Sequence, residues 1–149
     1  MKRKLLILAL IPFFALGCND LFDTGDFDKT WDGLELGLFP LSQEVSIEED
    51  GGTSIEVQLI GEQQDQDVSV DFTVSSPEDG GAEEGVHYNL VTTSPVTIEA
   101  GTSTVDIEID FIEDSLDDGE SVTLVITLED SSDVEPSPNL LESVTTIVE

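Results

Sequence analysis

From Leu34 onward, apolar and polar residues alternate with period two, the mark of strands that bury one face. Leu34, Leu36 and Leu38 open a first strand, A; Pro40 interrupts it as edge strands allow, and Val45 and Ile47 resume it. Ile55, Val57 and Leu59 predict strand B, and Val68, Val70, Phe72 and Val74 predict strand C. Val96 and Ile98 mark strand D; Val105, Ile107, Ile109 and Phe111 mark E; Val122, Leu124, Ile126 and Leu128 mark F; Val144 to Val148 close as G. Asp50-Gly51-Gly52 reads as a hairpin turn, and Ala100-Gly101 and Asp118-Gly119 as further turns. Polar loops span Gly61 to Asp67, Ser76 to Gly85, Glu113 to Glu120 and Asp130 to Pro138. No stretch carries a helical period and no segment repeats. The pattern predicts an all-β fold over 32–149, an immunoglobulin-like sandwich of seven antiparallel strands.

The first eighteen residues follow another rule. Lys2, Arg3 and Lys4 precede an apolar stretch from Leu5 to Leu16, the layout of a secretory signal. A spanning helix needs about 20 apolar residues, and Asn19, Asp20 and Asp23 follow this shorter stretch at once. Ala15-Leu16-Gly17-Cys18 resembles the lipobox of bacterial lipoproteins, although these families usually place Leu and then a small residue where Ala15 and Leu16 stand. The resemblance implies cleavage after residue 17, diacylglyceryl transfer to Cys18, and attachment to a bacterial membrane through that lipid. Several acyl chains are needed, because one gives only marginal anchoring. Cys18 is the single cysteine, so no internal disulfide can form and stability must come from the core. Residues 18–31, rich in Asp, Gly and Thr, read as an acidic tether. They resemble the surface-export signals of Bacteroidota lipoproteins. The expected location is the cell envelope, on the outer membrane, facing the periplasm or the surface.

Charge then removes several classes of partner. All 34 acidic residues lie beyond Cys18, where Lys29 is the one basic residue, so the exported part carries a formal charge of −33. Such a surface repels nucleic-acid phosphates and anionic head groups. No nucleic-acid partner is expected, and the lipid alone must hold the membrane. Nothing implies a homo-oligomer; a protein or glycan partner stays open. Acids interleaved with regular apolar alternation argue for a folded domain and against disorder.

Successive antiparallel strands run up and down. Loops A–B, C–D and E–F therefore share one end with the residues after strand G, while B–C, D–E and F–G share the other. The first end collects Glu48, Glu49 and Asp50, then Glu78, Asp79, Glu83 and Glu84, then Glu113, Asp114, Asp117, Asp118 and Glu120. Two unit charges at about 4 Å repel by about 4 kcal/mol at an effective dielectric of about 20. Calcium is the oxygen-seeking cation that suits flexible carboxylate loops, whereas solvated acids are the plainer explanation in so acidic a chain. Asp114 to Glu120 is not an EF-hand, since Leu116 falls where a ligand should alternate.

Four segments carry a family resemblance: Ile47-Glu48-Glu49-Asp50-Gly51-Gly52-Thr53, Gly85-Val86-His87-Tyr88, Val96-Thr97-Ile98-Glu99-Ala100-Gly101-Thr102, and Ile112-Glu113-Asp114-Ser115-Leu116-Asp117-Asp118-Gly119-Glu120. From about Val45 to Val148 the chain resembles a Calx-beta domain. The resemblance implies candidate Ca2+ ligands at Glu49, Glu113, Asp114, Asp117 and Glu120. His87 departs from the family's usual Asp before Tyr88, and the acidic run that often follows the last strand has no counterpart before Glu149.

His87, the single histidine, is a poor basis for a zinc site among carboxylates and lies in no triad motif. It reads as a loop-end residue packed beside Tyr88. Trp31, Phe39 and Tyr88 read as core or core-edge residues. Paired carboxylates hydrolyse glycosides in some enzymes, but so many acids give that signal no specificity. The expectation is a lipid-anchored, non-enzymatic binding or structural module of the envelope, with a calcium-rigidified version as the alternative.

Overall fold

The structure, a computed structural model, describes residues 33–130 and 134–149. The signal segment, Cys18, the tether and Trp31 lie outside the described residues. The chain forms β1 (Glu35–Phe39), β2 (Ser42–Ser46), a short helix α1 (Ile47–Asp50), β3 (Gly52–Ile60), β4 (Val68–Val70), β5 (Phe72–Ser75), β6 (Tyr88–Leu90), β7 (Val96–Ile98), β8 (Thr104–Phe111), β9 (Ser121–Leu128), β10 (Glu135–Pro136) and β11 (Glu142–Val148).

Two sheets face one another. One runs β10-β1-β3-β8-β6 and the other β2-β11-β9-β5, with a ribbon of β4 and β7 beside them. The first sheet holds strands A, B and E and the second A, G, F and the latter half of C, the all-β sandwich that the alternation predicts, but the strand D read at Val96 and Ile98 is β7 and lies in the ribbon with β4, not in the first sheet. Leu36, Leu38, Ile55, Val57, Ile107 and Ile109 from the first sheet, with Leu124, Ile126 and Ile147 from the second, are 0–1 % exposed. Each such side chain contributes about 1.5–3 kcal/mol through burial. Polar side chains that point inward from β2 and β11 are paired. The Ser143 hydroxyl donates to the Pro40 carbonyl at 2.6 Å, and the Gln43 amide donates to Thr53 at 3.0 Å and Thr145 at 3.2 Å.

The structure corrects the strand pattern at four places. Strand A changes sheet at Pro40. Its first half, β1, is flanked on both sides by β3 and β10, while its second half, β2, is an edge that pairs in parallel with β11. Pro40 has no N–H to continue a ladder, so the break marks a crossing between sheets. Ile47 is buried but opens α1 instead of continuing the strand. The Glu49 N–H donates to the Ser46 hydroxyl at 3.3 Å, and the Ser46 N–H donates to Asp50 Oδ2 at 3.1 Å. The Ser46-x-x-Glu49 spacing is itself a capping signal.

The Asp50-Gly51-Gly52 turn closes no hairpin, because β2 and β3 belong to different sheets. Gly51 takes φ 65 as the left-handed C-cap of α1. Strand C splits at Asp71: β4 pairs with β7 and β5 with β9. The alternation hides this, since Val68, Val70 and Phe72 stay inward while only the hydrogen-bonding partner changes. Two short pairings also went unpredicted. β6 fills the D position beside β8, and β10 runs parallel to β1 inside the loop read from Asp130 to Pro138.

Candidate functional site

The A–B, C–D and E–F segments meet at one end, bound to each other through backbone. The Phe111 N–H donates to the Gly51 carbonyl at 3.0 Å and the Ile112 N–H to the His87 carbonyl at 3.0 Å. Further back in the C–D loop, the Ala82 N–H donates to Thr123 O at 2.8 Å and the Thr123 N–H to Gly80 O at 2.9 Å. The segment after β11 arrives at the same place, where the Gly119 N–H donates to Glu149 Oε2 at 2.9 Å.

Glu49, Glu113, Asp114, Asp117 and Glu120 are all exposed on this tip. They do not gather. Among the described residues, no three His, Cys, Asp or Glu side chains form a group able to hold a metal ion. Several tip carboxylates already serve the chain's own amides. Glu120 Oε2 accepts from the Asp117 N–H at 3.1 Å, Asp50 from Ser46, and Glu149 from Gly119. A charge-assisted bond of this kind anchors a turn. In this arrangement the five candidates do not make a coordination shell.

A cavity of about 30 Å³ does lie inside the tip, lined by Ile47, Glu48, Asp114, Ser115, Leu116 and Glu149. It is large enough for a water molecule. Asp114 is the one family-implied candidate on its wall, and it takes φ 55, a left-handed conformation that Asp tolerates better than most residues. The Ser115 hydroxyl oxygen is buried there without a hydrogen-bond partner. Glu48 and Glu149 are the acids that sequence matching missed. The family's motif falls on Glu49, the neighbour of Glu48, and no local signal places Glu149 against Gly119 across a separation of 30 residues.

One tip carboxyl, that of Glu149, is shifted by its neighbours. The Gly119 N–H draws the Glu149 carboxyl down, but the hydrogen bond with Asp118, burial, and the charges of Asp118 and Glu48 outweigh it and hold that carboxyl above its ordinary value. Burial, followed by the charge of Glu84, raises the Tyr88 phenol. Tyr88 is a core residue at 4 % exposure, and Phe39 is half-buried at the core edge. His87 Nδ1 accepts from the Glu83 N–H at 2.9 Å. It therefore closes the end of the C–D loop, with Nδ1 as the acceptor.

No protein-family model and no curated protein sequence matches the chain. Solved structures do. The apo form of the Calx CBD1 domain superposes with a TM-score of 0.61 at 19 % identity, over 78 % of this chain and 96 % of that one. The calcium binding domain CBD12 of CALX1.1 gives 0.59 at 19 % identity, over 76 % of this chain and 44 % of that one. A protein from Bacteroides ovatus ATCC 8483, described as a proposed carbohydrate binding protein, gives 0.58 at 15 % identity, over 77 % of this chain and 37 % of that one. This chain thus spans nearly all of the first and under half of the other two. What they share is the fold, a Calx-beta-like sandwich.

Proposed function

We propose that this chain is a lipid-anchored, non-catalytic binding module of the bacterial cell envelope, held on the outer membrane through Cys18. The observation that supports the module is a two-sheet core whose loops are pinned at one end by inter-loop backbone bonds. Rigid scaffolds that present loops are the usual platform for recognition. The anchor is supported by the Ala15-Leu16-Gly17-Cys18 segment. The Bacteroides ovatus neighbour makes a glycan the first class of ligand to test.

The anchor is tested by feeding an alkyne fatty acid to bacteria that express the full chain or Cys18→Ala. The full chain takes the label and sediments with membranes; the variant does neither. An unlabelled full chain overturns the anchor.

One observation favours the alternative, a tip rigidified by calcium: the unpartnered Ser115 hydroxyl beside the cavity that Asp114, Glu48 and Glu149 line. A ligand at about 100 times its Kd stabilises the fold by about 2.7 kcal/mol. A chelator-reversible rise in Tm at millimolar calcium supports this reading, and an unchanged Tm rejects it.

A further inference from the structure

The end opposite the tip is built differently. There the B–C loop, the start of strand A and the residue before β10 enclose an open groove of about 530 Å³, within the range of about 300–1,000 Å³ typical of small-molecule sites. Half-buried Leu34 supplies apolar surface to it, with the core residues Val68 and Val134 behind, while Gln63, Asp65 and Gln66 supply polar groups. The loop is already fastened. The Gly101 N–H donates to Gln64 O at 2.9 Å, the Ala100 N–H to Asp67 Oδ1 at 2.9 Å, and the Gln64 amide to Glu62 O at 2.8 Å. Binding here need not first order the chain, which removes a large opposing term.

We infer that this groove is a site for a neutral, hydroxyl-rich saccharide, an inference that rests on the binding-module reading. Gln63 and Gln66 are exposed. Each primary amide offers two donors and an acceptor, and the Asp65 carboxylate adds acceptors. A sugar hydroxyl both donates and accepts, so it matches this mixed set, while the apolar face of a pyranose ring suits Leu34. Glu62, Asp65 and Asp67 on the same wall repel uronates, sulfates and phosphates. A basic peptide would meet the same carboxylates, but every face of so acidic a chain offers that attraction. The exposed amides beside Leu34 are what distinguish this groove.

The test uses the full chain in detergent micelles, with the glutamine side-chain amides labelled for NMR. The probes are cellohexaose, mannopentaose and trigalacturonic acid. At least one neutral probe shifts the Gln63 and Gln66 amides saturably, and trigalacturonic acid does not. The double variant Gln63→Ala/Gln66→Ala weakens that binding roughly tenfold. Both substituted amides are exposed, so the Tm of the double variant stays that of the parent.

Silence from both neutral probes overturns the site. So does binding that survives the double variant unchanged, or equal binding of the anionic probe to the parent chain. Fatty-acid labelling of Cys18 reports separately on the anchored-module reading. A labelled, folded chain without saccharide binding refutes the groove alone, and an unlabelled chain that binds saccharide refutes the anchor alone.

Discussion

The two ends of the sandwich use similar residues for different purposes. At the tip, carboxylates from Asp50, Glu120 and Glu149 accept hydrogen bonds from backbone N–H groups of the tip itself. The space left inside is about 30 Å³. At the opposite end the loop is tied back by backbone groups of Gln64 and Glu62 and by the carboxylate of Asp67, and a groove of about 530 Å³ stays open beside exposed amides. The more acidic end is thus the more self-contained one. A count of acids says little about a binding site until the geometry shows which of them the chain already uses.

The sharpest way to break that comparison is to ask whether the ends are independent at all. Leu124 lies at the centre of β9 with no exposure, and Leu124→Ala should cost about 2–5 kcal/mol. Denaturant unfolding followed at both ends should show one shared transition. Two separate midpoints would mean that the ends are separate folding units.

A glycine at each end gives the next largest effect. Gly61 sits beside the groove at φ +137, and an added Cβ would lie 2.7 Å from the Gly33 carbonyl. Gly52 sits at the tip, where a Cβ would lie 2.7 Å from the Ile109 carbonyl. Each Gly→Ala should cost about 1–3 kcal/mol, read as a fall in the denaturation midpoint. Gly61→Ala should also weaken saccharide binding, and Gly52→Ala should leave it unchanged. The reverse pairing would place the ligand at the tip.

Smaller again is the helix cap. Ser46→Ala removes the acceptor for the Glu49 N–H and should cost about 1 kcal/mol. Hydrogen exchange should quicken in α1 while the groove end keeps its protection.

The smallest effect at neutral pH is that of Tyr88. Burial first, and Glu84 second, hold its phenol above 10.0. The folded state therefore resists ionisation more than the unfolded state does. That contribution is fully present below the unfolded value, and it is lost as pH rises through the folded one. Melting temperature should fall on titration above pH about 10, and Tyr88→Phe should flatten the fall. An unchanged slope would assign the alkaline loss to another group.

Much of the fold was legible along the chain. Strands B, E and F alternate without a break, and β3, β8 and β9 follow them with Ile55, Val57, Ile107, Ile109, Leu124 and Ile126 inward. The gathering of three loops at one end also followed, because antiparallel strands must alternate in direction. The family-implied ligands fared differently. Matching by motif selected Glu49, whereas the cavity is lined by its neighbour Glu48. The turn of α1 decides which of two adjacent acids reaches a given point, and four residues are too few to show a helical period.

The sequence by itself determined that this chain builds a sandwich, because period two sorts side chains to two faces whatever strand lies alongside. It also determined that the chain beyond residue 17 is intensely acidic and holds its one cysteine just after an apolar stretch. Only the tertiary structure decided which strands pair, where strand A changes sheet, and which polar groups are consumed internally. The reason is physical: alternation records burial, a property of each residue, whereas hydrogen-bond partners and the width of a groove depend on segments far apart in the chain.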